Sequence, residues 1–123
     1  MASHNDFGKM AEDMACDFLQ KLGYKILARN FLYQKAEIDI ICKKAGEIVF
    51  AEVKARMNNV LMEPQEAVTK GKMRRIISAA DAFLQSIDAE ETARFDIITV
   101  MPSTTGNLEI NHIEAAFESI DAV

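Results

Sequence analysis

Two apolar runs joined by a short glycine turn constrain this sequence more than any other feature. Residues 37–43 contain three isoleucines and residues 48–54 begin with Ile-Val-Phe-Ala, so both runs predict β-strands. The turn Lys44-Ala45-Gly46-Glu47 between them has glycine as its pivot. A connection this short makes the two strands an antiparallel hairpin. The apolar start of the second strand predicts a central position in a sheet.

The rest of the chain supplies helices and further strands around this hairpin. Apolar residues recur every three or four positions in residues 7–22, which predicts a helix that ends at Gly23. The other predicted elements are a strand at 24–30, a loop at 58–63 closed by Pro64, a helix at 65–85, strands at 94–101 and 108–113, and a short helix at 115–120. The order αβββαββ predicts one mixed α/β domain over residues 1–123, with a sheet flanked by helices. The strands before and after the long helix are expected to be parallel.

The composition of the chain limits the cellular compartment in which we expect it. No apolar run approaches the roughly 20 residues that cross a bilayer, and the first residues lack the pattern of a secretory signal. The two cysteines, Cys16 and Cys42, stand apart in apolar surroundings, as reduced and packed thiols do. We therefore expect a cytoplasmic protein with no membrane partner.

Charge is segregated along the chain. The net charge is −5, yet residues 54–75 carry six cations and only two acids. Charge segregation of this kind can give an acidic protein a basic face. Lys54 belongs to the candidate site described below. The other five cations are candidate contacts for nucleic-acid phosphates: Arg56, Lys70, Lys72, Arg74 and Arg75. A solvated helix face explains the same charges equally well.

Acidic side chains on the two hairpin strands form the candidate site. Side chains alternate along a strand, so Glu37 shares a face with Asp39, and Glu52 shares a face with Lys54. Pairing the strands about the turn brings Asp39 opposite residues near Glu52. Two neighbouring carboxylates repel unless a cation lies between them, and oxygen ligands suit Mg²⁺ or Mn²⁺. Lys54 could then orient an attacking water or offset charge that builds on a phosphate.

The simpler alternative is a surface salt bridge between Glu52 and Lys54. An acid followed later by Glu-x-Lys occurs often by chance. The apolar residues before Glu52 favour a functional role, because charges on a central strand tend to be either paired or functional.

Asp39 followed by Glu52-Val53-Lys54 resembles the PD-(D/E)xK signature of restriction-endonuclease-like nucleases. More closely, the chain resembles the YraN-type family of small bacterial proteins, which are similar to archaeal Holliday junction resolvases. The matching stretches lie in order over nearly the whole chain: Gly8-x-x-Ala11-Glu12-x-x-Ala15, Leu22-Gly23-Tyr24, Arg29-Asn30, Glu37-Ile38-Asp39-Ile40-Ile41, Val49-Phe50-Ala51-Glu52-Val53-Lys54-x-Arg56, Glu66-Ala67-Val68-Thr69-x-x-Lys72, Arg94-Phe95-Asp96 and Ile113-Glu114-x-Ala116-Phe117.

The resemblance implies a restriction-endonuclease-like fold and a DNA endonuclease that depends on Mg²⁺ or Mn²⁺ and acts on branched or flapped DNA. It adds Glu12 to Asp39, Glu52 and Lys54, as a residue that would bind metal or hold its water. Glu37 would orient these ligands. Resolvase-like proteins commonly dimerise to cut two strands, so the resemblance also implies a homodimer.

Two alternatives to an endonuclease remain open from the sequence. A nucleic-acid-binding module without turnover would keep the basic residues and tolerate loss of Lys54. A protein-interaction domain on a retired nuclease scaffold would suit the overall acidity.

Overall fold

The hairpin predicted around Gly46 lies inside a five-stranded sheet. Its strands are β2 (Ala36–Lys44) and β3 (Glu47–Ala55), which pair antiparallel. Ala45 and Gly46 connect them with positive φ values of 51° and 80°. Two positive φ values are what a type I′ turn requires, and that turn matches the twist of the strands it joins. The predicted turn and strand pairing are thus confirmed.

The computed structural model describes residues 4–57 and 68–123 of the chain. The remaining strands are β1 (Lys25–Tyr33), β4 (Thr92–Pro102) and β5 (Leu108–Phe117), and the spatial order is β1-β2-β3-β4-β5. Neighbouring strands are antiparallel except β3 and β4, which are parallel. This confirms the mixed α/β class, the element order and the parallel crossover. The predicted loop at 58–63 with Pro64 lies outside the described residues.

Two helices cover opposite faces of the sheet. Helix α1 (His4–Lys21) packs Ala15 and Leu19 against one face. Helix α2 (Lys70–Ser86) buries its apolar stripe against Phe50 and its neighbours on the other. Neither helix in the described part of the chain has the length and apolarity needed to span a bilayer. Because both faces are covered, the central strands are almost continuously apolar.

Two boundaries differ from the sequence prediction. Helix α2 was expected from residue 65, but within the described residues it begins at Lys70, because the Oγ1 of Thr69 accepts a hydrogen bond from the Lys72 backbone N–H (3.2 Å) and caps the helix. The predicted helix at 115–120 is wrong. Strand β5 continues to Phe117, and a 3₁₀ turn follows at Ser119–Ala122.

Candidate functional site

Asp39 lies where β2 and β3 stop pairing. The last backbone pair of the ladder is Ile40 with Ala51. One residue further, the Oδ2 of Asp39 accepts a hydrogen bond from the backbone N–H of Val53 at 2.8 Å. The carboxylate therefore takes the place of a backbone acceptor at the end of the hairpin. This geometry confirms the predicted approach of Asp39 to the Glu52 region of β3.

Three carboxylates converge at this point. One carboxylate oxygen from each of Glu12, Glu37 and Asp39 lies within 4.8 Å of the other two. Helix α1 contributes Glu12, and β2 contributes the other two. We call these three side chains the carboxylate group. The sequence placed all three in the site, although Glu37 was expected beside the ligands and not among them.

Asn30 ties part of the carboxylate group together. Its Nδ2 donates to the Oε1 of Glu12 at 2.9 Å and to the Oε1 of Glu37 at 3.2 Å. Asn30 has a positive φ of 51°, a left-handed conformation that asparagine tolerates better than most residues. Sequence reasoning gave Asn30 no role, although it lies in the Arg29-Asn30 stretch of the family resemblance.

The pKa of Asp39 reflects the close approach of these acids. Burial, followed by the negative charges of Glu52, Glu12 and Glu37, raises the pKa of Asp39 to about 7, despite the opposing hydrogen bond from Val53. A positive charge placed between carboxylates in this arrangement stabilises them, because it offsets their mutual repulsion.

Glu52 lines the same cleft but is paired with lysine side chains. Its side chain is only 6% exposed and forms an ion pair with Lys72 of α2, while the Nζ of Lys54 lies 4.0 Å from the same carboxylate. Among the described residues, Glu52 is not part of the carboxylate group. The two hairpin acids are thus neighbours, but Glu52 is bonded to a lysine that sequence reasoning assigned only to phosphate contacts.

The two lysines respond differently to this environment. Burial and the positive charge of Lys72 lower the pKa of Lys54. Burial also acts to lower the pKa of Lys72, but the hydrogen bond and negative charge of Glu52 outweigh it, so that this pKa is raised.

One open cleft of about 410 Å³ contains both sets of charges. Its lining includes the acids Glu37, Asp39 and Glu52 and the cations Lys35, Lys72 and Arg75. Acids that can hold a cation therefore share one space with cations that can hold a phosphate. Lys35, in the turn between β1 and β2, was missed by sequence reasoning. Its signal was a cation two positions before Glu37.

Comparison with known proteins places this chain in a family. The family model described as uncharacterised protein family UPF0102 matches residues 11–100, a range that includes every acid of the site. The chain belongs to the UPF0102 family. UPF0102 proteins of Bacteroides fragilis, Flavobacterium psychrophilum and Bacteroides thetaiotaomicron are 44%, 43% and 42% identical to it over 117 residues. The match covers 95% of this chain and 96%, 98% and 96% of those relatives, in the same order.

The donor set of this UPF0102 chain fits a hard divalent cation. The carboxylate group offers only oxygen ligands, supplied at closely spaced positions by two elements. Oxygen-only sites suit Mg²⁺ or Mn²⁺, which keep part of their water shell when bound. Glu12, Glu37 and Asp39 would hold such an ion, and Glu52 could join them if its bond to Lys72 opened.

The predicted basic residues of the UPF0102 chain separate into two sets. Lys72 and Arg75 line the cleft. Lys70 and Arg74 instead donate to backbone carbonyls at the chain end, Lys70 to Val123 at 3.3 Å and Arg74 to Ala122 at 2.8 Å. Arg56 is half-buried after β3, and its backbone N–H donates to the carbonyl of Val100 at 2.8 Å.

A second polar network lies on the α1 side of β4 and is fully bonded. Asp96 is completely buried, and its carboxylate accepts hydrogen bonds from Arg94 (2.7 and 2.9 Å), from His112 (2.7 Å) and from the Ala115 backbone N–H (3.0 Å). Arg94 also donates to the Tyr24 hydroxyl at 2.7 Å. Because its partners are all internal, this network stabilises the fold.

Proposed function

We propose that this UPF0102 protein is a divalent-metal-dependent endonuclease that hydrolyses phosphodiester bonds in DNA. The convergence of the Glu12, Glu37 and Asp39 carboxylates beside a cleft lined by Lys35, Lys72 and Arg75 is the observation that carries this proposal. Phosphodiester hydrolysis needs a bound cation and a means of neutralising phosphate charge. The residues of this cleft can supply both.

Each residue has a role that its position supports. The carboxylate group would hold Mg²⁺ or Mn²⁺, and such an ion would make water a stronger nucleophile and polarise a phosphoryl oxygen. Lys54, half-buried beside Glu52, offsets the negative charge that develops on the phosphate. Lys35 and Arg75 hold the backbone through its phosphates, which positions the DNA without reading its sequence. Water would add to phosphorus while the opposite P–O ester bond breaks, and the proton that the water loses would end on the leaving oxygen, giving one phosphate end and one hydroxyl end.

The substrate is proposed from the family resemblance. Similarity to Holliday junction resolvases favours branched or flapped DNA over linear duplex. It also favours a homodimer, because two cuts on opposed strands need two sites. Sedimentation at several protein concentrations, with and without a four-way junction, measures the oligomeric state.

The direct experiment is incubation of the wild-type protein with branched, flapped and linear DNA in the presence of Mg²⁺ or Mn²⁺. We expect metal-dependent cutting that falls about a hundredfold or more in Asp39→Ala and Lys54→Ala. Asp17→Ala, which removes an exposed carboxylate of α1, is the matched control and should cut like the wild type.

Other outcomes distinguish the alternatives. Tight binding of DNA with no cutting under any metal would replace the endonuclease by a non-catalytic binding module. Absence of both binding and cutting would favour a protein-interaction domain and contradict the proposal.

A further inference from the structure

Two ammonium groups compete for one carboxylate in the cleft. Glu52 is almost fully buried and bonded to Lys72, and Lys54 lies 4.0 Å away from the same oxygen. One carboxylate cannot pair closely with two ammonium groups at once, and Lys54 is the one left at the longer distance. In the carboxylate group three acids crowd together, and the guanidinium of Arg29 lies 3.7 Å from one of them, Glu12.

Lys72 is fixed at its backbone, and its side chain is partly exposed. Its N–H donates to the Thr69 side chain that caps α2, so the first turn of the helix sets where the side chain begins. About a third of the side chain is exposed (34%), which leaves the ammonium within reach of the open cleft. Arg75 lies one helical turn further along and lines the same cleft.

We propose that Lys72 is an exchange residue, by which we mean a positioning group with two alternative partners. While the cleft lacks a cation, Lys72 holds Glu52. Once Glu52 turns towards the carboxylate group, the Lys72 ammonium pairs with a DNA phosphate. This inference rests on the proposed function. A cation among Glu12, Glu37 and Asp39 would attract the Glu52 carboxylate more strongly than one ammonium does. The released ammonium, next to Arg75, would then find its best anionic partner in the phosphate backbone.

In this exchange, metal binding competes with the Lys72–Glu52 ion pair for the Glu52 carboxylate. Removing Lys72 should therefore free Glu52 and tighten metal binding in the absence of DNA. We expect Lys72→Met to bind Mn²⁺ about tenfold more tightly than the wild type, measured by calorimetric titration. Lys72→Arg keeps the ion pair and should bind Mn²⁺ like the wild type. Lys21→Met, which breaks an exposed pair with Asp17 outside the cleft, is the matched control.

A double-mutant cycle separates the exchange from a general change in charge. In a Glu52→Gln background, Lys72→Met should change Mn²⁺ affinity less than twofold, about the error of such a cycle. The reciprocal test uses DNA without metal. Glu52→Gln frees Lys72, so it should bind a fluorescent oligonucleotide about threefold more tightly than the wild type. That gain should vanish in Glu52→Gln/Lys72→Met relative to Lys72→Met alone.

The possible failures point to different conclusions. If the wild type binds Mn²⁺ and DNA but neither gain is seen, or if a gain persists in the double variant, the exchange is wrong and the proposed function stands. If the wild type binds neither, the proposed function fails and the exchange fails with it. The Glu52→Gln test on DNA keeps the inference falsifiable should Lys72→Met not fold.

Discussion

Asp39 is the residue whose chemistry depends most on its surroundings. On the sequence it is one carboxylate in a run of isoleucines. In the fold it is half-buried, faces three other acids, and replaces a backbone acceptor at the end of the hairpin. Because its pKa is about 7, the carboxyl is largely protonated below that pH in the cation-free site, and a metal ion that bound there would displace the proton.

The pH dependence of stability tests this environment. The pKa of Asp39 is 3.8 ordinarily and about 7 in the folded protein. Between these values the folded state binds more protons than the unfolded chain, so stability present at low pH is lost as pH rises through about 7. In metal-free buffer, urea unfolding from pH 5 to pH 8 should show Asp39→Asn becoming more stable than the wild type as pH increases, by a few kcal/mol at most.

Added Mg²⁺ supplies the control for that measurement. It should restore wild-type stability above pH 7 and leave Asp39→Asn almost unchanged. A difference between the two proteins that does not vary with pH would contradict the account of Asp39.

Asp96 shows the opposite case, a buried carboxylate whose partners are complete. Its burial acts to raise its pKa, but bonds from His112, Arg94 and the Ala115 backbone outweigh this and lower it. Asp96→Ala removes the buried partner of Arg94, which then keeps the more exposed Glu47 at 3.0 Å as its nearest acidic partner, and should cost about 3–5 kcal/mol of unfolding free energy, measured by urea titration. Asp17→Ala, in an exposed pair, should cost far less. Equal losses in the two variants would refute the structural role of the network.

At the scale of elements, the hairpin could be predicted because it is determined by residues close together in the sequence. The Gly46 turn fixes the register, and the register brings Asp39 to the Glu52 region. The contribution of Glu12 could not be derived from periodicity, since a helix face near the chain start gives no information on which strand end it meets. Only the family resemblance pointed to it.

The partners of the basic residues depend on which face of α2 each residue occupies. With Lys70 as the first helical residue, Lys72, Arg75 and Ile76 fall at i, i+3 and i+4 and face the cleft. Lys70 and Arg74 share another face, towards the chain end. The error at 115–120 has a long-range cause, because the backbone N–H of Ala115, a residue with a φ of 49°, donates to Asp96 nineteen residues away.

The cap of α2 gives a prediction at this scale. Thr69→Ala removes the acceptor for the Lys72 N–H and should destabilise the protein by about 1 kcal/mol. Thr69→Ser keeps the hydroxyl and should stay close to the wild type. Thermal unfolding of both variants measures the difference, and a loss of similar size in Thr69→Ser would show that the hydroxyl is not the cause.

For the whole molecule, the net charge of −5 and a proposed DNA partner are compatible because charge is unevenly placed. Lys35, Lys72 and Arg75 meet in one cleft although they come from separate elements. The cleft lining sets these three cations against three acids, so its local charge is formally neutral although the whole chain carries −5.

Salt dependence of DNA binding measures this local charge. Lys35→Gln and Arg75→Gln should each weaken binding to all DNA sequences alike, and each should reduce the slope of log affinity against log salt by about 1. Lys25→Gln, an exposed change on β1, is the control and should leave the slope as it is. An unchanged slope in both cleft variants would place the DNA elsewhere on the protein.

The central claim is that Glu12, Glu37 and Asp39 form one site for a hard cation. The most direct measurement is an anomalous difference map from a crystal soaked in Mn²⁺, collected beside an Asp39→Ala crystal treated in the same way. We predict a single strong peak within coordination distance of all three carboxylates in the wild type and none in the variant. A wild-type map with no peak there, or a peak that persists in Asp39→Ala, would contradict the claim.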